Sequence, residues 1–262
     1  MAASSERHRL SSCCHGQCAG PPIAIVLILF QSAAMQSGFG FCGHDDIQRW
    51  QRALEPIRAL AGPLPRRSPI GALVKSMISG RTRDAVSLAA YDRLVAAFGT
   101  PARVLAAGPA EVLRCIGAVT HAEDKARYVT HALGRIAAER RGFDLGFLGD
   151  LPLDDALAWL ERLPGVGRKV AAATLNASTL DRPVLIVDSH VLRVLQRTGF
   201  VRRGAEGRAA SEAVTRAMPE WRGRDFLDFH IGTKKLGQTL CRFDATDCAR
   251  CPLRRDCRAR GN

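Results

Sequence analysis

Long apolar runs, aromatic residues and lysine are all in short supply in this 262-residue chain, and each shortage excludes something. The most apolar stretch, Ile23 to Phe30, is far shorter than the ~20 residues a bilayer-spanning helix needs. Aromatics make up only 6% of the residues, too few for a broad base-stacking surface of the kind that grips single strands. No sustained alternation of apolar and polar residues and no hairpin signal appears, which argues against a β architecture. The nine cysteines are odd in number and unevenly spaced, so they do not read as a disulfide framework. Lysine occurs only at positions 75, 125, 169, 234 and 235, and all the other residues among the 38 basic ones are arginine.

What is present is positive charge and helical periodicity. The net charge of +13 and a pI near 10 suit a polyanionic partner or a membrane surface, although arginine excess also follows from codon bias. Residues 1 to 44 differ from the rest. Arg7 and Arg9, the apolar run and Ser32-Ala33-Ala34 weakly resemble a secretory signal. We expect instead a disordered or non-native extension, with Met35 as the natural start. From Asp45 onward the period is helical. Ser68-Pro69 is an N-cap followed by proline, and Ile70, Leu73, Val74, Met77 and Ile78 form one apolar stripe. Leu88, Tyr91, Leu94, Val95 and Phe98 form a second, ended by Gly99, with Thr100-Pro101 opening the next helix. Further helices are expected at 109–117, 123–140, 154–162, 168–179, 189–198, 207–217 and 224–239. Pro183 to Val187 reads as a buried extended linker. The fold class is all-α.

Three local patterns carry chemistry. Leu163-Pro164-Gly165-Val166-Gly167-Arg168-Lys169 is a glycine-punctuated hairpin with a lysine where a helix should begin. Gly165 and Gly167 can take positive φ, and the helix N-terminus adds unpaired N–H groups, so a phosphate fits there. The helix dipole and Arg168 would favour a neutral, nucleophilic amine at Lys169. The same residues also suit a plain tight turn with a surface lysine. Asp188, in Val187-Asp188-Ser189-His190, is placed either as a catalytic carboxylate or as the cap of the helix that follows. Cys241, Cys248, Cys251 and Cys257 have C-x6-C-x2-C-x5-C spacing, which suits zinc or an iron-sulfur cluster.

The hairpin, the Asp188 segment and the cysteine quartet together, in order and separation, resemble the endonuclease III family of DNA glycosylases over roughly residues 45 to 258. The resemblance implies a helix-hairpin-helix domain of six helices (68–182), an iron-sulfur domain (45–67 plus 183–262) and a cleft between them. It implies a [4Fe-4S] cluster on the four cysteines, a Schiff-base nucleophile at Lys169 and a second catalytic group at Asp188. Duplex DNA bearing a damaged base or an abasic site would be the partner of a monomeric, cytoplasmic, nucleoid-associated enzyme, with no membrane involved. Leu163, Gly165, Val166, Gly167 and Arg168 would lie against DNA. The family prior suggests oxidised pyrimidines, and the lysine argues for a glycosylase that is also an abasic-site lyase. A non-catalytic DNA-binding protein with the same scaffold is the alternative.

The chain departs from the family pattern in places. Ser79-Gly80-Arg81 stands where many members have Ser-Ala-Gln, so Arg81 either fills the hole left by a flipped base or is an ordinary phosphate-contacting or solvated arginine. Gly117 to Ala122 takes the place of a second wedge and is longer than usual, with His121 read as plain surface. Leu236-Gly237 replaces a common histidine-glycine pair. Arg242, Arg250, Arg254, Arg255, Arg258 and Arg260 around the cysteines form either a phosphate clamp or a solvated tail.

Overall fold

In the computed structural model, which describes residues 40–62 and 64–259, the described residues form ten α-helices, one short 3-10 helix and no strand. The expectation for residues 1–39, with Cys13, Cys14 and Cys18, lies outside the described residues, as does Arg260. Helix α1 (Gly40–Ala59) begins ahead of the expected boundary at Asp45, so residues 40–44 are helical rather than disordered. The others are α2 (Pro69–Ser79), α3 (Asp84–Phe98), α4 (Pro101–Ile116), α5 (Ala122–Arg140), α6 (Leu153–Glu161), α7 (Arg168–Asn176), α8 (Ser189–Thr198), α9 (Gly207–Ala217) and α10 (Gly223–Thr239). None is long and apolar enough to cross a membrane.

The boundaries follow from local chemistry. Ser68 Oγ accepts from the Gly71 N–H at 3.3 Å and Pro69 opens α2; Thr100 Oγ1 does the same for Arg103 ahead of Pro101 in α4. Gly99 ends α3 at φ 69°, its N–H bonding the Val95 carbonyl at 2.8 Å. Gly108, at φ 77° and ψ 175°, breaks α4 into two short helical runs, as Gly108-Pro109 dictates. Asn176 Nδ2 ends α7 earlier than the expected residue 179, donating to the Arg182 and Gly223 carbonyls.

Burial sorts the apolar stripes. In α2, Leu73, Val74, Met77 and Ile78 are buried as expected. In α3 the buried face is Ser87, Ala90 and Leu94, while Leu88 and Val95 are exposed. Leu94 with the partly buried Tyr91 and Phe98 packs in the core as expected, and only Leu88 and Val95 fall outside the stripe, where the small residues Ser87 and Ala90 make the close contact instead. Two apolar cores result. One gathers α2 to α7 and the 3-10 turn; the other gathers Ile47, Trp50 and Leu54 of α1 with α8, α9, most of α10 and Leu253. At about 1.5–3 kcal/mol for each large side chain buried, these cores supply most of the drive to fold.

The segment Val184 to Val187 joins them. It is extended, so side chains alternate between its two sides. Val184 and Ile186 enter the first core, Leu185 and Val187 the second. Helix α10 is shared similarly: Leu227 and Ile231 face the first core, Phe226, Phe229 and Leu236 the second. The chain thus reaches Asp188 with its backbone held from both sides.

Candidate active site

The hairpin between α6 and α7 is built from the inside. Leu163 and Val166 are 3% and 6% exposed, and the Val166 N–H bonds the Leu163 carbonyl at 3.1 Å. Their side chains hold the turn in the core, so any contact they make with DNA is through their backbone. Gly165 takes φ 74°, and a Cβ there would come within 2.6 Å of the Tyr128 ring, so glycine is required twice over. Gly167 is extended, at φ −105° and ψ −179°, rather than at positive φ, and the space beside its Cα is open. Arg168 has its side chain engaged within the protein. Its guanidinium is 12% exposed and lies 3.0 Å from Glu161 and 2.8 Å from Glu212, with Arg208 completing the group on Glu161. Two carboxylates hold that side chain against α6 and α9, leaving the backbone of the turn as the part that faces out.

Lys169, the second residue of α7, turns inward. Its Nζ donates to Ser79 Oγ at 3.1 Å, at the end of α2. The amine is held below its ordinary pKa of 10.5, and burial is the main cause. The positive charge of Lys234 pushes the same way, while Asp188 and Asp84 oppose it. Arg168, whose guanidinium is taken up by Glu161 and Glu212, is not among the causes. Asp188 lies close enough for its charge to act on the amine, so the hairpin lysine and the aspartate 19 residues later do meet in one place.

Asp188 also caps α8. Its Oδ1 accepts from the His190 and Val191 N–H groups, both at 2.9 Å. Burial alone would raise this carboxyl, but His230, the Val191 N–H and Lys234 together hold it below the usual aspartate value. The capping and charged roles coexist.

Two residues in the site escaped the sequence reading. His230 on α10 donates from Nδ1 to the Ile186 carbonyl at 2.8 Å, and burial lowers its pKa to about 4, so it is a neutral imidazole that feels the charges of both Asp188 and Lys169. Lys125 of α5 donates to the Ile78 and Gly80 carbonyls at 2.9 and 2.6 Å and to Thr82 Oγ1 at 3.1 Å. Its amine fills the C-terminal end of α2, and burial lowers its pKa to about 8. A Lys-to-carbonyl helix cap spaced 45 residues from its acceptor leaves no local sequence signal.

Lys125 also positions the two loops beside the site. Thr120 N donates to Thr82 Oγ1 at 3.1 Å, and Thr120 Oγ1 donates to the Arg81 carbonyl at 2.9 Å. Arg81 and His121 both sit in the left-handed region, at φ 53° and 55°, and both are exposed. For non-glycine residues this costs of order 1 kcal/mol each, a strain that the clasp between the loops sustains.

The cysteine quartet follows α10. Cys241, Cys248, Cys251 and Cys257 are free and half-buried. Arg197 Nη1 donates to Cys241 Sγ at 3.2 Å, Arg193 Nε to the Cys241 carbonyl at 3.0 Å, and the Cys257 thiol to the Arg197 carbonyl at 3.4 Å. Burial pushes the Cys251 and Cys257 thiols up, and the other quartet sulfurs add to it, so the four feel one another. Among the described residues no three such donors close tightly enough to hold one metal ion. Of the arginines nearby, Arg250 pairs with Asp247 at 2.6 Å, Arg242 with Asp244 at 3.6 Å, and Arg258 packs on Gly199.

Comparison with known proteins agrees with this geometry. The model of the HhH-GPD superfamily of base excision DNA repair proteins matches residues 74–221, more than half the chain. Endonuclease III of Thermotoga maritima is 30% identical over 190 residues, 72% of this chain and 82% of that protein. Endonuclease III of Escherichia coli K12 is 31% identical over 152 residues, 58% of this chain and 67% of that one. The fold is similar to that of a trapped endonuclease III–DNA covalent intermediate, with a TM-score of 0.65 at 24% identity, covering 81% of this chain and 96% of that one. A thermostable thymine-DNA glycosylase has the same fold, with a TM-score of 0.65 at 16% identity, covering 82% and 96%. From the hairpin, the two loops and the sequence match alike, the chain belongs to the HhH-GPD superfamily of base excision DNA repair proteins and, within it, to the endonuclease III family.

Proposed function

We propose that this enzyme is a bifunctional DNA glycosylase and abasic-site lyase that removes an oxidised pyrimidine from duplex DNA through a Schiff base on Lys169. The observation that carries the reading is a lysine at the start of the hairpin helix whose amine turns inward onto Ser79 Oγ at 3.1 Å, within reach of the Asp188 charge. The duplex lies across a cleft between the helices of residues 68–182 and those of 45–67 plus 183–262. The backbone at Gly165 and Gly167 meets a phosphate, and Arg81 enters the space left by the extruded nucleotide.

The chemistry runs as follows. Neutral Lys169 attacks C1′ of the flipped nucleotide, the C1′–N bond breaks, and the base departs with the bonding electrons and a proton. Positive charge building on the sugar is stabilised by the Asp188 carboxylate. Loss of a second amine proton with opening of the sugar gives an imine, which acidifies C2′. Removal of that proton expels the 3′ phosphate by β-elimination. Asp188, ionised and acting on the amine, is the carboxylate that receives the protons, while Ser79 Oγ, 3.1 Å from the amine, orients the lysine.

The quartet fits a [4Fe-4S] cluster: four unpaired thiols, half-buried, with a guanidinium donating to one sulfur. Cys241, Cys248, Cys251 and Cys257 would hold it, and bound there it supplies a cross-link that fixes the C-terminal loop. We place the enzyme as a monomer on the bacterial nucleoid, in the cytoplasm.

Lys169→Ala tests the reading. Borohydride should trap wild-type protein on abasic duplex and leave the variant free, with nicking lost in parallel. Trapping that survives the substitution would refute the nucleophile.

A further inference from the structure

Four of the chain's five lysines lie close enough for charge to act among them, Lys75, Lys125 and Lys234 each coupled to Lys169. Lys125 and Lys169 are accounted for above; Lys75 and Lys234 are not. Lys75 on α2 donates to Ser87 Oγ at 3.4 Å and is drawn down to about 8 by burial. Lys234 is the more connected. Leu227, Ile231, Lys234 and Gln238 follow one face of α10 at helical spacing, the first two packed in the core. That face changes from apolar to polar as the helix reaches the cleft. There Lys234 Nζ meets Asp84 Oδ1 at 2.7 Å, and Gln238 Nε2 reaches Asp84 Oδ2 at 3.3 Å. Asp84 stands in the first turn of α3, five residues beyond Ser79, the hydrogen-bond partner of Lys169. Two side chains of α10 thus hold the half-exposed Asp84 carboxylate, and it in turn holds the less exposed ammonium of Lys234.

We propose that Lys234 is a positioning residue for the reaction: pinned by Asp84 and Gln238, its ammonium is a fixed charge at the cleft that disfavours a second cation on Lys169. Its charge is felt by Lys75, Asp84, Lys169, Asp188 and His230 alike. The groups facing Lys169 are Asp84 from α3, Asp188 ahead of α8, Lys234 and His230 from α10, Lys75 from α2 and Lys125 from α5. Lys234 favours the neutral form of the amine, as do Lys75 and Lys125, whose own amines feel the Lys169 charge, while Asp84 and Asp188 favour the charged one; of the three lysines, Lys234 is the one held by a carboxylate and an amide together. This inference rests on Lys169 being the nucleophile.

The test is the pH profile of single-turnover nicking of abasic duplex at saturating enzyme. Lys234→Met should move the acid limb to higher pH, cutting the rate about 3- to 10-fold below the limb, the effect of one charge across a partly buried cleft, and meeting wild type above it. Lys234→Arg should restore the profile. Asp84→Asn, which removes the opposing charge, should move the limb the other way. A Lys234→Met limb that stays in place, or a rate lowered equally at every pH, or a loss of DNA affinity alone, overturns the proposal. Should Lys234→Met fail to fold, the opposite shift demanded of Asp84→Asn decides the matter alone. Trapping by Lys169→Ala would instead sink the nucleophile assignment, a separate result.

Discussion

Substituting Asp188 two ways should separate its two roles. The carboxylate caps α8 through two hydrogen bonds of 2.9 Å and places negative charge beside Lys169. Asparagine keeps an Oδ1 acceptor and is as good a cap as aspartate, so Asp188→Asn should lose no more than about 0.5 kcal/mol of stability. Alanine keeps neither bond and should cost about 1–2 kcal/mol, roughly 2–8 °C in the unfolding midpoint of a chain this size. The chemistry should not follow that ranking. Both variants remove the charge that meets the developing sugar cation, and both should slow single-turnover base release by about 100- to 1,000-fold. Thermal unfolding and single-turnover release on the same preparations give the two readouts. The linkage has a definite sign as well. Because the folded carboxyl is held below its unfolded value of 3.8, its stabilisation over Asp188→Asn is complete above that value and disappears as pH falls through the lower folded one. An Asp188→Asn variant that releases base at the wild-type rate, or an Asp188→Ala variant that unfolds with wild type, would refute the division.

Other sites give sharper structural outcomes. Gly165→Ala must adopt φ 74° and place its Cβ 2.6 Å from Tyr128, so it should cost about 1–3 kcal/mol and weaken binding to duplex; a midpoint within 1 °C of wild type would contradict this. Gly223→Ala would set its Cβ 2.2 Å from the Asp181 carbonyl oxygen, backbone that cannot yield, and should fail to accumulate as folded protein in expression trials. Lys125→Met leaves the Ile78 and Gly80 carbonyls without their donor, and should lower stability by about 2–4 kcal/mol in denaturant titration while loosening the Arg81 loop to protease. Cys251→Ser should give colourless protein with little iron by metal analysis, whereas wild type should be yellow-brown; equal iron in the two would remove the cluster assignment.

Much of this was legible in the chain. Caps such as Ser68, Thr100 and Asp188 act within three residues, so the helix starts they set could be read from the sequence. The hairpin lysine, the aspartate and the cysteines announce themselves because each is an uncommon residue in a tight local pattern. What escaped reading is tertiary. His230, Lys234 and Lys125 lie in ordinary amphipathic helices, and their partners are 44 to 150 residues away. The ion pairs of Arg168 are tertiary too: Glu161 and Glu212, which hold its side chain, could not be matched to it without the packing of α6, α7 and α9. Leu88 and Val95 fall outside the α3 stripe because apolar residues on an exposed face look the same as core residues when only spacing is available.

Helix α8 is ten residues long, with Asp188 as its cap at one end and Arg197 in the cysteine loop at the other. That makes it a ruler. Each residue added or removed along it would displace one end by about 1.5 Å and rotate it by about 100° relative to the other. The carboxylate could then face Lys169, or the guanidinium could face Cys241, but not both. Side chains along α8 are free to vary within the core's demands, while its count of residues is fixed by the two ends together. Engineered chains with a single insertion or deletion in α8 should therefore lose either base release or the cysteine-loop assembly, and compensating loop lengths elsewhere should not restore the pair.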